Sequence, residues 1–243
     1  MLSRVVRNYG ASHPHMKILE AGCGRRWLLD LDDLKYTLVG IDVDEDALKI
    51  RMDETKDLDD AMVGDLRVID IPDEEYYVIF CSFVLEHIDG VQEVLSNFVR
   101  WVKSDGLIII RVPDRRSVFG FVTRHTPLWF HVLYRRLLDG RNQSGVPGYG
   151  PYPTVYDKVL SPEGIREFCL VNDLDILGEY GMATFLTKQT AGARVERAAA
   201  RLIGTLSMGR LAASHSGLTY VIRKRRIVTD ASIGADRAAT GIV

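Results

Sequence analysis

Between Met16 and Val112 short apolar runs alternate with amphipathic ones. The apolar runs fall at 16–20, 37–41, 77–82 and 107–112, with a weaker one near 61–63. That alternation predicts an α/β fold, a parallel sheet with covering helices. The run LIIIRV at 107–112 is apolar at consecutive positions, as a central parallel strand buried on both faces requires. The clearest helix is predicted over 91–103, where Val91, Val94, Leu95, Phe98, Val99 and Val102 form one stripe. Ser104-Asp105-Gly106 ends it.

Beyond Pro113 the pattern changes. Thr126-Pro127 reads as a helix start, LWFHVLYRRLL as its body and Gly140 as its end. A stretch dense in glycine and proline, NQSGVPGYGPYP, follows; an unstructured loop of that length in a compact domain is usually functional. Ser161-Pro162-Glu163 opens another helix. Strands are predicted at 174–178, 182–187 and 217–224, and a helix at 194–210 with Val195, Ala198, Ala199, Leu202, Ile203 and Leu206 on its stripe. The expected organisation is one domain over 1–224, with 114–160 as a substrate cover, and a loose tail over 225–243.

Composition narrows the function classes. Of 243 residues 47% are hydrophobic, and 31 basic residues face 33 acidic ones for a net charge of −2. That balance carries no electrostatic footprint for nucleic acid. Cys23, Cys81 and Cys169 form no CxxC pair, which fits a reducing compartment better than a disulfide framework. No apolar run approaches the roughly 18 residues needed to span a bilayer. The expectation is a cytoplasmic protein, with contact at a membrane surface left open.

The candidate chemistry centres on KILEAGCGRRW at 17–27. A strand, a turn containing Gly22 and Gly24, and a helix beginning around Leu28 and Leu29 would form a nucleotide-type corner. Gly22, Cys23 and Gly24 would bring backbone close to a ligand; the alternative is a tight turn without one. A dinucleotide site wants a third glycine where this chain has Trp27, which argues against a pyrophosphate. S-adenosylmethionine (SAM) carries no phosphate. Asp42 lies 18 residues past Gly24, near the offset at which a carboxylate accepts ribose hydroxyls. It could instead cap the helix that follows, although Asp44 suits that better. Asp65 and Leu66 end the third strand where adenine would lie, or Asp65 is a solvated turn acid. Val43 adjoins Asp42, and Ser82 ends the fourth strand near the donor's amino-acid end.

E-A-G-C-G, G-I-D, G-D-L, C-S-F-V-L-E-H-I and K-S-D-G-L-I-I-I-R-V-P, in that order, resemble the class I SAM-dependent methyltransferases, particularly the small-molecule branch with the quinone-pathway O-methyltransferases. The resemblance implies a Rossmann-like, mostly parallel seven-stranded sheet with helices on both faces and the last strand antiparallel. It implies that Glu20, Gly22 and Gly24 hold the methionine end, Asp42 the ribose, and Asp65 with Leu66 the adenine. It implies methyl transfer from SAM, releasing S-adenosylhomocysteine, to an oxygen rather than a nitrogen or carbon. Arg26 and Tyr76-Tyr77 depart from the usual pattern. The competing readings are a non-catalytic SAM-binding module and an NAD-dependent oxidoreductase.

His87 is the candidate general base, or a histidine that hydrogen-bonds the helix it begins. Glu86 reads as structural, and Cys23 and Cys81 as packing residues. Substrate candidates are His125, His131, Tyr152 and Tyr156. No metal-ligand spacing is evident. The segment 115–141 holds six arginines (115, 116, 124, 135, 136, 141) and the single acid Asp139 among aromatic residues. That composition points to a small-molecule or lipid-linked, anionic acceptor, or to a peripheral membrane contact.

Overall fold

The structure, a computed structural model, describes residues 1–127, 154–155, 157–182 and 191–226. Helix α1 (Leu2–Gly10) precedes strands β1 (Met16–Ala21) and β2 (Tyr36–Asp42). Helix α2 (Glu45–Lys49) continues as a π-helical turn (Ile50–Thr55) into β3 (Asp60–Val63) and β4 (Tyr76–Ser82). A 3-10 turn (Leu85–His87), α3 (Val91–Trp101), β5 (Val102–Pro113) and α4 (Val118–His125) follow. A second 3-10 turn (Lys158–Leu160), α5 (Pro162–Val171), β6 (Leu174–Met182), α6 (Ala191–Leu206) and β7 (Gly217–Lys224) complete the described chain.

The seven strands form one sheet in the order β3-β2-β1-β4-β5-β7-β6. The β3-β2, β2-β1, β1-β4 and β4-β5 pairs are parallel, while β7 runs antiparallel to both its neighbours. This is the predicted Rossmann-like sheet. Because β5 is central, its side chains are buried on both faces: Ile108, Ile110 and Val112 pack with α3 and α5, and Leu107 and Ile109 pack with the α1 side. The C-terminal ends of β1, β2, β4 and β5 share one edge, where ligands bind in open sheets of this kind.

Several expectations are corrected. No helix follows the glycine turn; the segment from Arg25 to Leu34 holds only turns, a bend and irregular chain. Leu29 and Leu31 are buried while Leu28, Asp30 and Asp32 are exposed, a two-residue period that an extended chain satisfies and a helix does not. Arg7 of α1 fastens that segment through Asp30 at 2.8 Å and Asp33 at 2.6 Å. Helix α3 stops at Trp101, not 103, because Val102 is already extended (φ −77, ψ 138) and begins β5. The strand expected at 174–178 is longer, the bulged strand β6 reaching Met182; the strand expected at 182–187 lies, past Met182, outside the described residues.

Helix α4 precedes the expected helix start; it ends at its capping residue Thr126, which is extended at φ −115 and ψ 141. Ser117 caps α4 by accepting the Gly120 N–H at 2.9 Å, and the residue before a proline resists the helical conformation. Helix α6 turns the other way from its predicted stripe: Ala200 and Gly204 face in, and Leu202 is 62% exposed. A Cβ on Gly204 would stand 3.1 Å from that of Ala213, so the small residues permit the close approach. The predicted helix after Pro127, His131, Tyr152, Tyr156 and the tail from 227 lie outside the described residues.

Candidate functional site

The corner is built from β1, β2 and the turn between them. Gly22 and Cys23 donate their N–H groups to the Ile41 carbonyl at 2.8 and 3.0 Å. Gly22 has φ +69, and a Cβ there would lie 2.3 Å from Val84. Gly24 has φ +55 and nothing within 4 Å of where its Cβ would be. The first glycine is therefore required by packing, while the second borders open space.

Asp42 closes the turn. Its Oδ2 accepts the Gly24 N–H at 2.8 Å and its Oδ1 the Asp44 N–H at 2.9 Å. Asp44, not Asp42, caps α2, accepting from Asp46 and Ala47 at 3.1 Å each. Val43 beside it is 73% exposed, an apolar surface on which an adenine ring can lie. Asp65 is engaged by Arg67, whose hydrogen bonds hold its carboxyl below the usual range. The Leu66 side chain is buried in the core. Ser82 Oγ lies 3.4 Å from Arg111 Nη1.

Behind the turn sits a buried ion cluster. Arg51 is fully buried; it pairs with Glu20 Oε2 at 2.9 Å and Asp57 Oδ1 at 2.5 Å, and donates to the Cys23 carbonyl at 3.0 Å. Burial pushes Glu20 up to about 8 against the opposing pull of Arg51. Asp57 also accepts the Trp27 N–H at 3.3 Å. The turn is thus braced by an arginine where a helix was expected. Trp27 packs edge-on against Phe80, centroids 5.6 Å apart.

A cavity of about 350 Å³ opens where β5 leaves the sheet. Val112, Leu160 and Leu218 supply apolar wall, Glu86 a carboxyl, and Arg115, Arg116, Arg124 and Arg210 positive charge. Glu86 is 2% exposed, and its Oε2 has no hydrogen-bond partner among the described residues. Burial pushes it up to about 7. His87 Nε2 stands 3.8 Å from Glu86 Oε1, but His87 is absent from the cavity wall. His125 Nδ1 contacts the Phe121 carbonyl at 2.8 Å, and its ring packs on that of Phe121, off the wall. Asp114 is occupied, contacting His215 Nε2 at 2.9 Å and accepting the Arg116 N–H at 2.8 Å. Arg116 pairs with Glu163 through two 2.8 Å bonds. Arg124 and Arg210 have no carboxylate in ion-pair distance among the described residues.

Arg51 and the Asp114–His215 pair escape a sequence reading because Glu20 lies 31 positions from Arg51 and His215 lies 101 from Asp114, and Arg210 because the cavity it lines is built from distant parts of the chain. Among the described residues no cluster of three His, Cys, Asp or Glu could hold a metal, and no helix is long and apolar enough to cross a membrane. The corner fits SAM. The open space at Gly24 and the apolar face of Val43 suit an adenosyl group, and Asp42 retains acceptor capacity for a diol. With no helix N-terminus at the turn, it lacks the usual means of holding phosphate.

Residues 1–145 match the sequence family described as a methyltransferase domain. No curated protein matches the chain. Among solved structures, a SAM-dependent methyltransferase from Archaeoglobus fulgidus superposes with a TM-score of 0.54 at 19% identity, over 92% of this chain and 93% of that one. A protein from Listeria monocytogenes, provisionally assigned the same activity, superposes at 0.57 and 16% identity, over 88% and 91%. At those identities the likeness speaks for the fold.

Proposed function

The chain belongs to the methyltransferase domain family, and we propose that it uses SAM, as its solved neighbours are described to do, and that its acceptor atom is a hydroxyl oxygen of a small molecule seated in the cavity beside Glu86. The observation that carries this reading is the cavity itself. It lies at the edge of the sheet that also carries the glycine turn, and its wall combines apolar surface with a buried carboxyl. Such a chamber holds a small molecule and excludes water.

Gly22, Cys23 and Gly24 would face the methionine end of SAM with Ser82, Asp42 the ribose, and Val43, Asp65 and Leu66 the adenine. When bound, SAM supplies an electrophilic methyl: a carbon–oxygen bond forms as the carbon–sulfur bond breaks, the electron pair stays on sulfur, and S-adenosylhomocysteine leaves. The protein's part is alignment and removal of one proton. The Glu86–His87 pair receives that proton, with His87, whose side chain is 28% exposed, between the carboxyl and solvent. Methylation of a hydroxyl gains most from such a base near neutral pH, which favours oxygen over carbon.

The test is calorimetry with S-adenosylhomocysteine, followed by a methyl-transfer assay over matched hydroxyl, amine and thiol acceptors. Binding of the product with transfer to hydroxyl compounds is expected. Transfer to amines alone would overturn the choice of oxygen. Binding with no transfer to any acceptor would favour a SAM-binding module without catalysis.

A further inference from the structure

The cavity wall divides by chemistry. Glu86, Val112, Leu160 and Leu218 are buried, whereas Arg116, Arg124 and Arg210 are exposed at its mouth. Of the acids on the wall, Asp114 is already engaged by His215 and by the Arg116 backbone. Among the described residues of the wall, Glu86 alone keeps a buried carboxyl oxygen without a partner. A buried carboxyl oxygen left bare is unfavourable, so its retention in a cavity wall points to a group that arrives with a hydrogen to donate. Of the cations, Arg116 is neutralised by Glu163. Arg124 and Arg210 are not matched by any carboxylate among the described residues. Arginines lining one cavity suit a carboxylate or a phosphate.

We infer that the acceptor is a free, hydroxylated organic acid: its hydroxyl meets Glu86 Oε2, its apolar body fills the space against Val112, Leu160 and Leu218, and its anionic group rests on Arg124 and Arg210. This rests on the reading of the cavity as the acceptor chamber. Glu86 is then the catalytic residue that takes the hydroxyl proton as the oxygen is methylated, and His87 is the positioning residue next to it. The anionic group would be a carboxylate or a phosphate; the arginines accept both.

The protein is titrated with inorganic phosphate, benzoate and 4-hydroxybenzoate, each with and without S-adenosylhomocysteine. Saturable heat is expected with all three, and the Arg124→Ala/Arg210→Ala double variant should weaken each by at least ~10-fold, the scale of a lost charged hydrogen bond. The hydroxyl of 4-hydroxybenzoate should tighten binding over benzoate by ~5-fold or more in the native chain, and Glu86→Leu should abolish that advantage. Equal anion affinity in native and double-variant chains, or no heat with any acid, overturns the proposal. Retention of the hydroxyl advantage in Glu86→Leu overturns the role of Glu86. Arginine-dependent sedimentation with phosphatidylglycerol vesicles, without binding of the free acids, would transfer the site to a lipid surface and overturn the free-acid assignment. S-adenosylhomocysteine heat is recorded for every variant; its absence in the native chain strikes the preceding reading, whereas its presence beside a failed acid titration strikes only this one.

Discussion

Asp42 Oδ2 accepts the backbone N–H of Gly24 at 2.8 Å, and so the carboxylate at the end of β2 sets the shape of the turn after β1. The same side chain therefore shapes the corner and offers its remaining lone pairs to a ligand. Asp42→Ala should weaken S-adenosylhomocysteine binding by ~1–3 kcal/mol, through unpaired donors on both turn and ribose. Calorimetry checks it, and unchanged affinity would place the adenosyl site elsewhere.

The two glycines of the turn separate stability from binding. Gly24→Ala meets nothing within 4 Å but must hold φ +55, a left-handed cost of ~1–2 kcal/mol. It should melt slightly earlier and lose donor affinity because its methyl enters the open space. Gly22→Ala carries the same backbone cost plus a 2.3 Å clash with Val84, so it should lose clearly more stability. Val84→Ala in the same chain should restore part of it, as read by thermal melts.

Arg51 tests the brace behind the turn. Arg51→Met leaves Glu20 and Asp57 buried or half-buried without their cation, and should destabilise the fold by about 3–5 kcal/mol in urea denaturation. Adding Glu20→Gln should recover some of the loss, since one of the two stranded carboxyls is then neutral.

Glu86 gives a pH signature. Burial raises its folded value to about 7 from an ordinary 4.5, so between those values the folded chain holds a proton that the unfolded chain releases. The stability tied to that proton is complete below pH 4.5 and is lost as pH rises through 7. The decline has a slope of at most ~1.4 kcal/mol per pH unit. Glu86→Gln should flatten the decline over that window, leaving the similarly directed contribution of Glu20, and chemical denaturation across pH measures it.

Turnover distinguishes the two members of the base pair. Glu86→Gln should slow methyl transfer by ~10²-fold or more with donor affinity intact, and should remove the acid limb of the rate profile near neutral pH. His87→Ala should be milder and keep that limb. The reverse ranking would return the base to His87.

Much of the fold was legible because the signals were local. Runs such as LIIIRV announce a strand buried on both faces, and the order of glycine turn, Asp42 and Gly64-Asp65 announces the corner. The misreadings also had local causes. Leu28-Leu29 suggested a helix only until Leu31 was set beside Leu29, when the spacing became that of an extended chain. In α6 the larger side chains mark the wrong face, because Ala200 and Gly204 make the close contact and Leu202 does not. The ion cluster was hidden for another reason. Arg51 pairs with Glu20 across 31 positions, and nothing in DEDALKIRMDE distinguishes a buried arginine from a solvated one. The cavity likewise gathers Glu86, Arg124 and Arg210 from three separate parts of the chain.

The non-helical course of residues 25–34 also bears on which ligands the corner suits. A helix beginning at the turn would present a fractional positive pole, and polyphosphates would gather there. Here no helix begins at the turn, and its Gly24 N–H is already held by the Asp42 carboxylate, so the corner offers a phosphate neither that pole nor that donor. A cofactor that carries no phosphate forgoes nothing by that arrangement, and a polyphosphate would have to find its anchor elsewhere.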